Sequence, residues 1–194
     1  MKIRHKGQHS ISFYAGNSVL CFVKNEYVSH PVYHFAFNIP GHQFKEALIW
    51  LKARIKLLSV NGLEIVDFPR WNAHSIYFYD NNQNVLEWIA RHDLKYETYL
   101  SFRGESVKCI SEIGLVADDV LGYADQLMAD YQVPVFAKQI PHEKFTVLGD
   151  EQALLILSET GREWFPTDIP CKKFPLSVTL GFGMNRNDKV IVYG

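Results

Sequence analysis

An apolar strand that carries a histidine, directly followed by a helical pattern, is the feature that most constrains the fold of this chain. In the stretch YHFAFNIP (residues 33–40), period-2 alternation places the large apolar side chains on one face. His34, Ala36 and Asn38 fall on the other face. Pro40 and Gly41 end the strand, and residues 42–58 predict an amphipathic helix of roughly four turns. His34 is therefore either a hydrogen-bonded residue of a buried strand or a ligand on a second, functional face.

Similar hairpins near the two ends of the chain predict an internal repeat. SISFYAGNSVLCFVK (residues 10–24) and KFTVLGDEQALLILSE (residues 144–159) share the order of strand, glycine-containing turn, apolar strand and charged exit. A proline-bearing loop and another strand follow each of them, and this alignment places Pro175 opposite His34. A further hairpin is predicted from SIYFYD and VLEWIAR. The pattern indicates a repeated βαββ-type unit.

A segment without periodicity divides the chain into two predicted regions. Residues 1–92 form a first paired-module region, residues 93–109 a linker and residues 110–194 a second, shorter module region. The second region begins with the strand ISEIGLVA, and either Asp118 or Asp119 is predicted to cap a second helix.

Composition excludes several classes of protein. The hydrophobic fraction of 47% and charged fraction of 21% are those of a globular chain, and the net charge of -1 predicts no attraction for nucleic acid or acidic membranes. Neither a signal peptide nor a membrane-spanning run is predicted. The cysteines, Cys21, Cys109 and Cys171, are widely separated and follow no metal-type spacing, which favours a reducing, cytoplasmic location.

Two motifs in the right order resemble the vicinal oxygen chelate superfamily, which includes glyoxalase I, fosfomycin- and bleomycin-resistance proteins and extradiol dioxygenases. Its His-x-Ala-Phe start is matched by residues 34–37 (HFAF), and its Tyr-Phe-x-Asp-Pro-x-Gly-Asn-x-x-Glu pattern by residues 77–87 (YFYDNNQNVLE). Residues 110–120 (ISEIGLVADDV) look like the start of a further module. The resemblance implies an α+β fold, in which repeated βαβββ-type modules form half-open barrel sheets with the helices outside.

The resemblance also implies a divalent metal on the inner face, with His34 and Glu87 as two of its ligands. Glu87 lies between Val85 and Ile89 on one strand face, where a carboxylate is costly to bury unless a cation or hydrogen-bond donors meet it. Imidazole and carboxylate suit Zn, Fe(II), Ni, Mn or Co. Glu112, at a position where relatives often have histidine, is either a third ligand or an exposed carboxylate at a strand edge.

The chain departs from the family pattern in three ways. The strand and helix that open the first module are expected to be missing, and Asn81 and Gln83 replace the proline and glycine of the turn. The predicted repeat also assigns Glu112 to the second region, where its partner position is Pro175. No metal site is therefore expected in that region.

Two functions are compatible with these residues. The first is a metal-dependent enzyme acting by isomerisation, thiol transfer or ring cleavage on a small substrate with vicinal oxygens. The alternative is a non-catalytic, bleomycin-resistance-like protein that binds a small molecule without metal. Tyr77, Tyr79 and Trp88 are predicted to be either substrate-binding residues or core residues. Residues 161–168 (GREWFPTD) are predicted to form either a lid over a ligand or a packed turn. Unpaired sheet edges predict a homodimer.

Overall fold

The structure, a computed structural model, describes residues 1–98, 100–181 and 189–193, and it belongs to the α+β class. The described strands and α-helices, in chain order, are β1 (Lys2–Lys6), β2 (Ser10–Ala15), β3 (Ser18–Val23), β4 (His34–Asn38), α1 (Phe44–Lys52), β5 (Val66–Phe68), β6 (Ala73–Tyr79), β7 (Val85–Arg91), β8 (Cys109–Ala117), α2 (Val120–Tyr131), β9 (Phe145–Gly149), β10 (Leu154–Glu159), β11 (Leu176–Leu180) and β12 (Lys189–Tyr193). Within these ranges, no helix has both the length and the apolar character needed to cross a membrane.

A curled sheet of seven strands, in the order β5-β6-β7-β4-β8-β10-β9, forms the centre of the fold. It contains two units, β4-α1-β5-β6-β7 and β8-α2-β9-β10, and in each unit the first and last strands pair in parallel. A parallel pair needs a long crossover connection, which each helix provides. Antiparallel pairing of β4 with β8 joins the units into one half-barrel, as the predicted fold class requires.

The repeat in the sheet differs from the predicted one. Strands β2 and β3 belong to a separate sheet with β1, so the counterpart of the β9–β10 hairpin is β6–β7. Pro175 precedes β11 in a two-stranded sheet, and its carbonyl oxygen accepts a hydrogen bond from Tyr33 Oη at 2.8 Å. The alignment of Pro175 with His34 was therefore wrong. Alternation predicts a hairpin but does not encode which sheet the hairpin joins.

Strand β4 and helix α1 open the first unit of the sheet, where the sequence predicts a strand and a helix. The expectation that a further opening strand and helix are missing stays a prediction. Strand β7 ends at Arg91 and β8 begins at Cys109, close to the limits of the predicted linker. The described residues between these strands contain one 3-10 helix, Gly104–Ser106, and no strand. The domain boundaries themselves stay a prediction.

Both helices pack on the same face of the sheet. The buried side chains of α1, including Phe44 and Leu51, join those of β4, and those of α2 join β8 and β10. Helix α1 ends at Lys52, before the predicted end at residue 58, because the chain beyond it turns to pair with β6, where Leu58 N donates to Tyr77 O at 2.8 Å. Helix α2 begins after Asp119, which is confirmed as its N-cap.

Candidate metal centre

Two glutamates flank Ala36 on the face of the sheet that is turned away from the helices. The parallel pairing of β4 with β7 places Ala36 opposite Glu87, and the antiparallel pairing with β8 places it opposite Glu112. Ala36 is fully buried and its side chain is a single methyl group, so it leaves space in which the two carboxylates can converge. His34 lies two residues earlier on β4 and therefore on the same face.

The side chains of His34, Glu87 and Glu112 meet in this space. His34 Nε2 lies 3.7 Å from Glu87 Oε2 and 3.9 Å from Glu112 Oε2. One ligand atom from each residue lies within 4.8 Å of the other two, and the relative exposures are only 6%, 2% and 4%. Among the described residues, no other group of three or more His, Cys, Asp or Glu side chains converges in this way.

A hydrogen bond on the side of the His34 ring away from the two carboxylates fixes the orientation of the ring. Its Nδ1 lies 3.0 Å from the carbonyl oxygen of Val85. A carbonyl can only accept, so Nδ1 carries the proton of this hydrogen bond and Nε2 of the neutral ring keeps a free lone pair. That lone pair faces the two carboxylates, which is the arrangement of a histidine prepared to bind a metal.

Glu87 is the residue whose ionisation is most affected by this environment. Burial, followed by the nearby Glu112 carboxylate, raises the pKa of Glu87 from 4.5 to about 7, although His34, Ser75 and Tyr77 act in the opposite direction. Burial and then the two carboxylates also hold the pKa of the Tyr77 phenol well above 10.0. The site is therefore deficient in positive charge.

The pKa of His34 responds to two opposed effects. Burial lowers it, but a hydrogen bond to Glu112 and the negative charges of Glu87 and Glu112 outweigh burial, so the pKa is raised from 6.5. A group that gains affinity for a proton in this setting would also gain affinity for a metal cation that replaces the proton.

The donor set fits a divalent metal. One imidazole nitrogen and two carboxylate oxygens suit Mn, Fe(II), Co, Ni and Zn. Donor atoms about 2.1 Å from a tetrahedral ion are about 3.4 Å apart. The distances from His34 Nε2 to Glu87 Oε2 (3.7 Å) and to Glu112 Oε2 (3.9 Å) would need to shorten only slightly to bind such an ion. Three protein ligands also leave coordination positions for other molecules, as in catalytic rather than structural sites.

The three aromatic residues predicted to bind substrate lie in different environments. Tyr77 and Tyr79 are on the same face as Glu87 and belong to the cluster around Trp164. Trp88 neighbours Glu87 in sequence and so points to the opposite face, where its ring centroid lies 5.7 Å from Trp50. Its position is that of a core residue, and the predicted role in substrate binding does not fit this site.

Two further buried residues lie at the site: Arg91, which the sequence did not single out, and Trp164, which belongs to the segment predicted to be either a lid or a packed turn. Arg91 donates a hydrogen bond to Glu112 from the end of β7. It lies four residues after Glu87, and the period of the strand could have revealed that they share a face. The ring centroid of Trp164 lies 5.5 Å from that of His34, and a Cβ atom at Gly114 would approach Trp164 Cη2 to 2.5 Å. The loop GREWFPTD thus packs onto the site.

Comparison with known proteins gives a likeness of fold only. No family model and no curated protein matches the chain. A Bacillus subtilis (subsp. subtilis str. 168) crystal structure named as a candidate dioxygenase is similar, with a TM-score of 0.53 and 13% identity; the match covers 77% of this chain and 50% of that one. The chain therefore spans half the length of that protein. A hypothetical protein of Bacillus halodurans C-125 has a TM-score of 0.38 and 14% identity, over 69% of this chain and 96% of its own.

Proposed function

We propose that this chain binds one divalent metal ion through His34, Glu87 and Glu112 and is a metal-dependent enzyme of the vicinal oxygen chelate type. Its substrate would be a small organic molecule with neighbouring oxygens. The observation that carries the proposal is the convergence of three buried donor atoms within 4.8 Å on one sheet face. A bound metal would supply Lewis acidity, which polarises a substrate carbonyl or stabilises an enolate.

The charges around the site support a divalent rather than a monovalent ion. Four carboxylates and two cations form a connected group that extends from the buried site to the exposed Asp93, and this group carries two negative charges when His34 is neutral and Glu87 is ionised. The six residues are Glu87, Glu112, Glu151, Asp93, Arg91 and Lys138. Unbalanced buried charge costs several kcal/mol per ion, so a cation of charge +2 would relieve this cost.

The chain's own residues would orient and protect the bound ion. Val85 O fixes the tautomer of His34, and Tyr77, beside Glu87, limits the directions in which that carboxylate can turn. Trp164 covers the His34 ring and restricts access of water to the donor atoms. The dioxygenase name of the Bacillus subtilis protein agrees with metal chemistry, but half of that protein lies outside the match, so the reaction is proposed from the site alone.

Metal content tests the proposal directly. Purified protein would be incubated with Zn, Ni, Mn or Fe(II), freed of excess metal and analysed by elemental mass spectrometry. We expect close to one metal ion per wild-type chain and a loss of metal in His34→Ala, Glu87→Gln and Glu112→Gln. Glu143→Gln, which changes an exposed carboxylate, is the matched control and keeps its metal. Wild-type protein that stays free of all four metals would refute the proposal.

A small-molecule-binding protein without metal is the second candidate. Two contacts favour it, because Arg91 already supplies a cation to Glu112 and Trp164 covers His34 with protein atoms. The same incubation separates the candidates: a metal-free wild type whose thermal midpoint rises with a small organic ligand supports the binder. Metal-dependent turnover in glyoxalase-type or ring-cleavage assays supports the enzyme.

We also propose that the chain forms a homodimer. Strand β5 is one edge of the seven-stranded sheet, and an unpaired strand edge invites association; at the other edge, residues 134–136 pair along β9. Light scattering after size-exclusion chromatography gives the mass: a value of twice 22.4 kDa supports the dimer, and a monomer mass contradicts it.

A further inference from the structure

The side chain of Arg91 is a buried cation beside the candidate metal centre. Its side chain is 0% exposed, and it lies on the same face of β7 as Glu87. The guanidinium carbon lies 5.3 Å from the ring centroid of Trp71 and 5.9 Å from that of Phe136. These two rings restrict the plane of the guanidinium group, so its N–H groups have defined directions.

The two oxygens of Glu112 have different partners because of Arg91. Arg91 Nη2 donates to Oε1, whereas Oε2 is the oxygen that lies 3.9 Å from His34 Nε2. A carboxylate can bind a metal through one oxygen or through both. The hydrogen bond from Arg91 engages Oε1 and leaves Oε2 as the oxygen that faces the other donor atoms.

A second carboxylate holds Arg91 in this position. Arg91 Nη1 lies 3.5 Å from Glu151 Oε2, and Glu151 is presented by the turn between β9 and β10. Asp150 Oδ1 accepts from Gln152 N at 2.8 Å within this turn, and Asn38 Nδ2 donates to the carbonyl oxygen of Glu151 at 3.1 Å. Both the turn and the central strand β4 therefore fix the distance between Glu151 and the metal centre.

We propose that Arg91 is a positioning residue that limits Glu112 to one-oxygen binding of the metal. This inference rests on the proposed metal site and adds a determinant of its coordination number. A carboxylate that binds through both oxygens would fill two coordination positions of the metal. Because Arg91 holds Oε1, Glu112 would fill only one, and the other position would stay available for a substrate oxygen. Arg91 acts through Glu112 and touches neither metal nor substrate.

The test compares Co(II)-loaded wild type, Glu151→Gln and the double variant Arg91→Met/Glu151→Gln. The double variant removes one positive and one negative charge, so the net charge near the metal stays that of the wild type, while Oε1 loses its donor. Visible absorption of Co(II) weakens as its coordination number rises. We expect Glu151→Gln to keep the wild-type band, because Trp71 and Phe136 still hold Arg91 beside Oε1. The double variant should lose intensity, because Glu112 then binds through both oxygens.

The Co(II) spectra distinguish failure of the positioning role of Arg91 from failure of the metal site. Identical Co(II) bands in all three folded proteins, verified by circular dichroism, overturn the positioning role and leave the metal site intact. Wild type that binds no Co(II) overturns both the metal site and this inference. If the double variant does not fold, Arg91→Gln/Glu151→Gln replaces it, because glutamine is polar but too short to place a donor where Nη2 lies, and the same loss of intensity is expected. An unchanged band in Arg91→Gln/Glu151→Gln then counts against the proposal.

Discussion

Replacing Glu87 by glutamine should stabilise the metal-free protein at alkaline pH while removing its capacity to bind metal. Glu87 is 2% exposed, and burial together with Glu112 raises its pKa from 4.5 to about 7. One pKa unit corresponds to about 1.4 kcal/mol, so ionised Glu87 opposes folding by about 3 kcal/mol once the pH exceeds both pKa values. Glutamine carries no charge at any pH and avoids this cost.

The sign of the pH dependence follows from the raised pKa. Because the folded protein holds the Glu87 proton more tightly than the unfolded chain, this contribution to stability is complete below pH 4.5 and is lost as the pH rises through about 7. The free energy of unfolding of metal-free wild type should therefore fall between pH 5 and pH 8 relative to Glu87→Gln. At pH 8 we expect the variant to be the more stable protein, by up to about 3 kcal/mol.

Urea unfolding with a chelator at pH 5 and pH 8, repeated with metal, measures both effects. A metal at 100 times its dissociation constant should stabilise wild type by about 2.7 kcal/mol and leave Glu87→Gln unchanged. Glu143→Gln, at an exposed position, should follow wild type throughout. A metal-free Glu87→Gln protein less stable than wild type at pH 8 would show that Glu87 is a satisfied structural residue and refute the reasoning.

Three further substitutions separate the core from the site. Gly114→Ala should cost about 1–3 kcal/mol, seen as a lower thermal midpoint, because its Cβ would meet Trp164 Cη2 at 2.5 Å. The control Gly104→Ala, whose Cβ has no neighbour closer than 3.5 Å, should leave the midpoint nearly unchanged. Trp88→Ala should cost about 3–5 kcal/mol in urea unfolding without changing the metal content of the folded protein, because Trp88 lies on the helix side of the sheet. Asp119→Ala should cost about 1 kcal/mol and lower the thermal midpoint by about 2–4 °C, through loss of the hydrogen bond from Gly122 N; an unchanged midpoint would contradict the capping role.

Local patterns in the sequence were sufficient for most individual elements. Alternation identified β4 and the flanking hairpins, and the aspartates before an apolar run, Asp118 and Asp119, placed the start of α2 to within one residue. These features depend on residues close in sequence, as capping and strand alternation do. The C-terminal end of α1 was overestimated, because the turn after Lys52 is stabilised by contacts with β6, and such tertiary contacts leave no local signal.

The composition of the site was harder to predict because it depends on pairing between distant strands. His34 and Glu87 belong to one unit, and the family resemblance was enough to name both. Glu112 comes from the second unit, and the hairpin alignment assigned it away from His34. Only the pairing of β4 with β8 shows that the two units share one inner face and one cluster of donor atoms.

A single extra residue in β8 explains how Glu112 reaches that face. Ala36 pairs with Glu112 but Phe37 pairs with Ile110, so Ser111 has no partner of its own and forms a bulge. In a regular strand Ile110 and Glu112 would share a face. With the bulge, Ile110 packs against the core beneath α1, while Glu112 turns to the opposite side toward His34. Apolar packing places Ile110 on the helix side of β8 and the candidate metal centre needs Glu112 on the other side, and the bulge allows β8 to meet both demands.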